Sequence, residues 1–307
     1  MSVRYVEISA EEDGQRLDNY LIRVLKGVPK SHIYRMVRGG EVRINKKRAQ
    51  PSSRLSAGDS VRIPPVRTAQ EKEVHVGTRL AERLVESVLY EDNLVLVVNK
   101  PAGIAVHGGS GLSLGVIEAL RKMRTDLPYL ELVHRLDKDT SGCLVLAKKR
   151  SALRSIQALL ESRLVKKTYW AVLCHPWKGN VSVTVDAALE KNTLKSGERM
   201  VRVHDDGKAS QTYFRLLENF QHASFVEASP KTGRTHQIRV HSAYLGHPIV
   251  GDQKYGGDVL LEGFDGAKHR LYLHARAIQF NLNGKNYQFQ AELDERFAKT
   301  LEKLREC

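Results

Sequence analysis

The sequence predicts an α+β protein of two domains, in which the larger domain contains a mixed, mainly antiparallel sheet. Short apolar runs typical of strands outnumber amphipathic helical segments, turn sequences such as Asn283-Gly284 recur between them, and no regular β-α-β alternation is present. The chain has 307 residues, of which 41% are hydrophobic, and this is enough for two packed cores. We predict domains at residues 1–65 and 86–307, joined by a polar linker at 66–85.

The first domain has the pattern of two short helices followed by short strands. Helices are predicted at 16–22 and 31–38, and strands at 42–44 and 61–63. Ser31 is the predicted N-cap of the second helix, and Gly39 and Gly40 are predicted to end it.

Basic side chains are concentrated in this domain. Between positions 30 and 48 the only acid is Glu41, and the basic residues are Lys30, Arg35, Arg38, Arg43, Lys46, Lys47 and Arg48. Arginines along a helix face and the adjoining turn suit phosphate groups better than base edges. The net charge of +14 is typical of a chain that meets a polyanion, most often nucleic acid. The alternative is an ordinary solvated face, but the clustering favours the polyanion.

The second domain alternates between strand and helix patterns without a fixed repeat. Strands are predicted at 88–91, 94–98, 129–133, 144–147, 167–173, 213–217 and 224–226. Helices are predicted at 113–124, 151–163, 236–245 and 291–305. Thr235 is the predicted N-cap of the third of these helices, and Gly246 is predicted to end it.

A dense polar stretch, residues 134–142, lies between two of the predicted strands, where catalytic residues are often found. Asp137 and Asp139 are two positions apart, so in an extended loop their side chains point to different sides and do not share a proton. One of them is expected to face inward and the other to be solvated. A buried carboxylate needs a cation or hydrogen bonds to stay ionised, and a guanidinium is its natural partner.

A second polar cluster, residues 232–241, supplies two candidate partners. Arg234 precedes the predicted helix, Arg239 lies on it, and either arginine could pair with Asp137. Tyr169 is set in an apolar strand, where it is able to position a substrate ring or move a proton. On sequence grounds alone, a tyrosine in such a strand is more often an ordinary core residue than a catalytic one.

The composition argues against a metal, redox or membrane protein. His134, His236 and His241 lack the spacing and thiolate ligands of a metal site, so no metal is expected. Three cysteines without a C-x-x-C pair fit a reducing cytosol. Because the chain has no 18-residue apolar run and no N-terminal leader pattern, we expect a cytoplasmic protein that does not enter membranes.

The polar motifs resemble those of the RluA family of pseudouridine synthases. Residues 134–142 resemble its motif II, 99–103 with 106–107 its motif I, 167–169 the segment of its active-site tyrosine, and 233–241 its motif III. The first domain resembles the S4 RNA-binding domain. The resemblance therefore implies a pseudouridine synthase catalytic domain behind an S4-like αα-hairpin and strands.

The resemblance also implies a reaction and a set of roles. The reaction is the isomerisation of uridine to pseudouridine in RNA, with no cofactor. Asp137 corresponds to the nucleophile, Arg234 to its partner with Arg239 in reserve, and Tyr169 to the residue that stacks on uracil or takes the ribose 2′ proton. Arg135 corresponds to the side chain that replaces the flipped base, and the remaining substrate-contacting candidates are Ile238, His134 and Arg239.

Within the family, the stretches at 26–37, 41–48, 107–115 and 148–154 are most similar to enzymes of large-subunit (23S) ribosomal RNA. The expected partner is therefore 23S RNA, free or in an assembling subunit, and the expected state is a monomer. Three alternatives remain: the same reaction on transfer RNA or other ribosomal uridines, a non-catalytic ribosome-assembly factor that binds RNA, and a glycosidase-like hydrolase. The hydrolase would need a second carboxylate placed beside Asp137.

Overall fold

The structure, a computed structural model, describes residues 2–25, 27–66, 78–108, 114–193, 199–256 and 270–306. The chain divides into two units, residues 1–75 and 76–307. No helix in these described ranges is long and apolar enough to cross a lipid bilayer. The exact limits of the two domains stay predictions.

The first unit packs two helices against a small antiparallel sheet. Its elements are β1 (Arg4–Glu7), α1 (Leu17–Val24), α2 (Lys30–Arg38), β2 (Arg43–Ile44), β3 (Lys47–Arg48) and β4 (Ser60–Ile63). The strand order is β1-β4-β2-β3. Leu17, Leu21, Ile33 and Val37 are buried between the helices and the sheet, as their helical spacing predicts.

One capping prediction in this unit is wrong. The helix α2 begins at Lys30, one residue before Ser31, and its N-cap is Pro29, which makes no side-chain capping bond. Proline is compatible with this place because its ring holds φ at −56° and its carbonyl is still able to accept the first bonds of the helix. The predicted helix end is confirmed, with Gly40 in the left-handed region at φ +75°.

The second unit contains the remaining elements. Its helices are α3 (Thr78–Glu86), α4 (Val116–Met123), α5 (Arg150–Glu161), α6 (Gln237–Tyr244) and α7 (Glu295–Glu306). Its strands are β5 (Val88–Glu91), β6 (Val95–Lys100), β7 (Glu131–Leu132), β8 (Ser141–Ala147), β9 (Lys166–Cys174), β10 (Ser182–Asp186), β11 (Leu189–Thr193), β12 (Arg199–Val203), β13 (Gln211–Asn219), β14 (Ala223–Pro230), β15 (Leu273–Leu282) and β16 (Lys285–Gln290).

One large mixed sheet forms the centre of this unit, with the strand order β10-β13-β14-β9-β15-β8-β6-β5. Among the described strands, β15 and β8 form the only parallel pair, so the predicted α+β fold with a mainly antiparallel sheet is confirmed. The strand β6 alternates between two cores: Val95 and Val97 face the core of α5, whereas Leu96 and Val98 face the core of α4. Because both faces are covered, β6 has the continuous apolar sequence of a buried strand.

The predicted linker is partly helical. Positions 67–77 lie outside the described residues, but α3 occupies 78–86, so the linker prediction is wrong over that part. Leu80 and Leu84 are four positions apart and pack on the core of α4. Two apolar residues among charged neighbours were too short a stripe to reveal this helix.

Two further differences concern strands and a cap. The strands β15 and β16 flank the predicted Asn283-Gly284 turn but were not predicted, because Arg276 and several amides interrupt their apolar pattern. Thr235 is not the N-cap of α6. His236 occupies that position in a left-handed conformation, with φ 54° and ψ 20°.

The polar loop at 134–140 leads into β8 through a glycine that no other residue replaces easily. Gly142 has φ +109°, and a Cβ built on it would lie 2.3 Å from the carbonyl oxygen of Ala275 on β15. The first residues of β8 pair in parallel with β15, since Ser141 is opposite His274 and Gly142 is opposite Ala275. This close approach fixes where the loop ends.

We expect Gly142→Ala to destabilise the catalytic unit by about 2–5 kcal/mol, since it adds left-handed strain to a backbone clash. Gly179→Ala is the matched control. Gly179 has a similar φ of +89°, but nothing lies within 4 Å of its added Cβ, so only the conformational cost of about 1–2 kcal/mol remains. Urea unfolding of the two variants measures the difference. Equal destabilisation would contradict the role given to the β8–β15 contact.

Candidate active site

A cavity of about 820 Å³ in the second unit collects the polar motifs. All seven catalytic-unit residues that the sequence singled out line it, namely His134, Arg135, Asp137, Tyr169, Arg234, Ile238 and Arg239. They come from three places: the loop before β8, the strand β9, and the start of α6 with the segment before it. A second cavity of about 760 Å³ shares Arg135, Asp137 and Arg239 with the first.

The centre of the site is an arginine held between two carboxylates. Arg239 donates from Nη1 to Oδ2 of Asp137 at 3.1 Å, and from Nε and Nη2 to the two oxygens of Asp252 at 2.7 and 2.8 Å. The Asp252 side chain is fully buried, whereas that of Asp137 is 28% exposed and faces the cavities. Burial acts against the charged guanidinium, but Asp252 and Asp137 outweigh it and raise the pKa of Arg239 above its usual value. Asp252 therefore anchors a permanent positive charge beside Asp137.

The prediction that Arg234 pairs with Asp137 is wrong, and the reserve candidate Arg239 forms the pair. Arg234 is exposed, and its Nε donates to the carbonyl of Ala209 at 3.3 Å. It precedes α6, where the chain still runs along the surface, whereas Arg239 lies in the first turn of the helix and points back into the site. The sequence analysis placed the start of α6 at His236, one residue too early. Which of the two arginines reaches Asp137 depends on where this helix begins.

The two aspartates of the loop differ as predicted. Asp137 is partly buried and lines both cavities, whereas Asp139 is exposed and lines only the 760 Å³ cavity. The backbone N–H of Thr140 donates to the carbonyl of Asp137 at 3.2 Å and closes the loop into a turn. The hydrolase alternative loses its second carboxylate, because Asp139 faces solvent and Asp252 is occupied by Arg239.

A buried lysine fastens the same loop from the other side. The Lys100 side chain, at the end of β6, is fully buried, and its Nζ donates to the carbonyls of Pro101, Ile104 and Lys138 at 2.8 to 3.0 Å. Burial lowers the pKa of Lys100 to about 7, against the opposing charges of Asp139 and Asp137. Lys100 therefore connects its own segment, residues 100–104, to Lys138, the residue after Asp137.

Tyr169 lies half-buried on β9 in the wall of the cavity. Burial raises the pKa of its hydroxyl, and the charge of Asp137 adds to the effect. A neutral phenol beside a carboxylate can stack on a ring or donate a hydrogen bond. Lys167 lies on the same face of the strand, two positions before, and donates to the carbonyl of Thr232 at 3.3 Å.

His134 is bonded to the sheet. Its Nε2 accepts the N–H of Val145 at 3.2 Å, and burial, with the charge of Lys167, lowers its pKa to about 4. His134 is therefore neutral over the physiological range.

The two remaining candidates also line the cavity. Ile238 is buried at the cavity wall, and Arg135 is exposed at the junction of the two cavities. In the described part of the chain, no group of three or more His, Cys, Asp or Glu side chains is arranged to hold a metal ion.

Sequence reasoning missed four residues of this site. Asp252 and Tyr255 follow α6 in a stretch that carried no recognised pattern. Lys100 was noted only as part of motif I, and His236 only as part of motif III and as a rejected metal ligand. The one available signal was Gly251-Asp252, an acid directly after a turn residue. Nothing in the sequence connects that acid with Arg239.

In the first unit, the predicted RNA-contacting residues all lie at the surface. The seven exposed side chains are Lys30, Arg35, Arg38, Arg43, Lys46, Lys47 and Arg48. Within the ranges that the structure describes, none of them forms an ion pair, and Arg43 donates to backbone carbonyls. Their charges are therefore available to an anionic partner.

We expect Lys100→Met to cost about 3 kcal/mol, because three buried carbonyls lose their donor. In the unfolded chain the pKa of a lysine is ~10.4, whereas the pKa of Lys100 in the folded protein is about 7. Between these values the unfolded chain holds one more proton, so the wild type gains stability through this group as the pH rises. The difference in unfolding free energy between wild type and variant should therefore widen from pH 7 to pH 9 in urea titrations. A difference that narrows would contradict the burial of this ammonium.

Curated relatives match nearly the whole chain. The chain is 51% identical to the ribosomal large subunit pseudouridine synthase C of Haemophilus influenzae, over 99% of this chain and 96% of that protein. It is 51% identical to the protein of that name from Escherichia coli strain K12, with 99% and 97% covered, and 52% identical to that of Salmonella typhi, with the same coverage.

Solved structures match about three quarters of the chain. The human RNA pseudouridylate synthase domain containing 4 has a TM-score of 0.62 at 28% identity, and covers 74% of this chain and 96% of its own. The human RNA pseudouridylate synthase domain containing 1 has a TM-score of 0.59 at 27% identity, with the same coverage.

Family models locate both parts of the chain. The RNA pseudouridylate synthase model matches residues 94–244, which include Asp137, Tyr169 and Arg239, and the S4 domain model matches residues 15–61. With relatives of 51% identity along almost its full length, this chain belongs to the RNA pseudouridylate synthase family and carries an S4 domain before its catalytic domain.

Proposed function

We propose that this protein converts uridines of large-subunit ribosomal RNA to pseudouridine, with Asp137 as the nucleophile. The observation that carries the proposal is the Asp137 carboxylate, which lines a cavity of about 820 Å³ and accepts a hydrogen bond from Arg239, while Asp252 anchors Arg239. A cavity of this size suits a single nucleotide. The names of the curated relatives support the choice of ribosomal large-subunit RNA.

The reaction exchanges one bond to the ribose for another. The bond between C1′ and N1 breaks, the uracil turns, C5 bonds to C1′, C5 releases its proton and N1 takes up a proton, so substrate and product are isomers and no cofactor is consumed. Asp137 attacks the uracil ring or C1′, and its oxygen later leaves the intermediate. Arg239 orients the carboxylate and keeps a positive charge beside it, because a guanidinium stays protonated in a buried site.

The target uridine must leave the RNA stack before Asp137 can reach it, at a cost of a few kcal/mol. Arg135 is exposed at the junction of the two cavities, so its guanidinium is free to occupy the position that the flipped base vacates. Tyr169 and Ile238 contribute the apolar walls that receive the uracil ring.

We expect Asp137→Asn to abolish turnover while RNA affinity stays within about twofold of the wild type, since the amide has nearly the same shape but is no nucleophile. Release of tritium from RNA labelled at uridine C5 measures turnover, and filter binding measures affinity. Asp139→Asn is the matched control and should retain most of the activity, because Asp139 is exposed. Pseudouridine formation by purified Asp137→Asn would refute the assignment.

The S4 domain is proposed to bind the phosphates that flank the target. The seven exposed cations support this proposal, since none of them forms an ion pair within the described residues. Phosphate contacts position an RNA without reading its sequence, so target choice rests mainly on the catalytic domain. The cytoplasmic location and the monomeric state stay predictions.

We expect Arg35→Gln combined with Arg38→Gln to weaken RNA binding and to lower the slope of log affinity against log salt by about 1.4, from a contribution of ~0.7 per single-strand phosphate contact. Titrations between about 50 and 200 mM salt measure this slope. The matched control is Arg23→Gln with Arg54→Gln, since Arg23 already pairs with Glu12 and Arg54 already donates to Gly14. If the two double variants lowered the salt slope equally, the proposed RNA surface would be contradicted.

A further inference from the structure

A chain of two hydrogen bonds leads to His236, whose ring lies beside Asp137. The backbone N–H of Val201, on β12, donates to the hydroxyl oxygen of Tyr255 at 3.1 Å. The same oxygen lies 2.7 Å from Nδ1 of His236. Among the described residues, this nitrogen is the one acceptor within reach of the Tyr255 hydroxyl. A half-buried tyrosine hydroxyl normally finds an acceptor, so the phenol donates to Nδ1.

This arrangement selects one tautomer of His236. When Nδ1 accepts a hydrogen bond, the proton of the neutral ring lies on Nε2. Nε2 is 3.7 Å from Oδ2 of Asp137, the same oxygen that receives Nη1 of Arg239 at 3.1 Å. A separation of 3.7 Å is longer than a hydrogen bond, and such contacts in free enzymes tighten when the substrate binds.

The charges around His236 favour its neutral form. Burial lowers its pKa, and the positive charges of Arg239 and Lys254 act in the same direction, whereas those of Asp137 and Asp252 oppose them. The ring is therefore neutral at neutral pH, as the direction of the Tyr255 bond requires.

The backbone at His236 is strained, and the strain serves this orientation. His236 adopts the left-handed conformation, with φ 54°, directly before α6. Such conformations of non-glycine residues persist where the surrounding structure enforces them, often at functional sites. Here the reversal lets the ring face Asp137 while the helix that begins at Gln237 brings Arg239 to the same carboxylate.

We propose that His236 is a positioning residue, which Tyr255 holds in the Nε2–H tautomer so that it donates to Oδ2 of Asp137 in the reacting complex. With two donors on Oδ2, the other oxygen, Oδ1, is the one that attacks. The inference rests on the proposed role of Asp137 as the nucleophile. His236 moves no proton and forms no bond to the substrate.

The first test reads the tautomer directly and needs no activity. The full-length protein is labelled with 15N-histidine, and the His236 ring signals are assigned by their loss in His236→Asn. At pH 7 we expect a protonated Nε2 and an unprotonated Nδ1. Tyr255→Phe should shift the ring toward the other tautomer or the charged form, whereas Tyr287→Phe, which removes a buried hydroxyl bonded to Asp92, should leave it unchanged. A proton on Nδ1 of the wild type would overturn the proposal.

The second test separates positioning from a merely structural role. Asparagine tolerates the left-handed backbone and reaches the position of Nδ1, but it does not reach Asp137. Glutamine reaches the position of Nε2, at the expense of the backbone conformation. We expect His236→Asn to lower kcat by roughly 10- to 100-fold with KM within about threefold, and His236→Gln to recover most of that loss.

Activity in His236→Asn but not in His236→Gln, or an equal loss in both, would overturn the proposal. Unfolding midpoints of the two variants verify that each one folds. If Asp137→Asn were active, the proposed nucleophile and the role of His236 would fall together, whereas a wrong tautomer with an inactive Asp137→Asn would remove the role of His236 alone.

Discussion

The site depends on the two ion pairs that Arg239 forms, one with Asp137 and one with Asp252. Two carboxylates share one guanidinium, and one of the two, Asp252, is fully buried. Removing one partner of a buried ion pair typically costs 3–5 kcal/mol, because the other charge is left without compensation. Arg239 is therefore fixed by Asp252 at all times, and its remaining donor is already oriented before Asp137 meets a substrate. The orientation of the carboxylate is thus established during folding.

The large mixed sheet of the second unit brings the residues around Asp137 together. The loop of Asp137 lies between β7 and β8, and its ends are set by the close contact of Gly142 with β15 and by the three carbonyl bonds of Lys100. Tyr169 comes from β9, the neighbour of β15 on the other side. Because α4 and α5 cover the two faces of these strands, the strands cannot slide without exposing apolar residues. Rigid strands therefore position side chains that come from distant parts of the sequence.

Local patterns predicted most of the fold and the composition of the site. The apolar runs of β6, β8 and β9 and the helical stripes of α4 and α5 identified these elements, and the polar loop at 134–142 identified Asp137. The prediction failed where the decisive contact is long-range. The choice between Arg234 and Arg239 depends on the one residue at which α6 begins, and His236 sits there in a conformation that sequence spacing does not reveal. Asp252 was missed because its role depends on Arg239, which lies on α6, and no sequence pattern connects the two residues. The strand β15 was missed because polar residues such as Arg276 interrupt its pattern.

The placement of β15 at the middle of the sheet has a consequence for the synthesis of the protein. This strand pairs with β8 and β9 but is made more than a hundred residues after β8. The S4 domain, by contrast, has a core that is complete by residue 66. Domains fold as units as they leave the ribosome, and distant strand pairing is slow. The RNA-binding unit is thus able to fold while the catalytic sheet still lacks its central strand. During that interval Asp137 has no assembled site around it, so an emerging chain acquires affinity for RNA before it acquires catalytic competence.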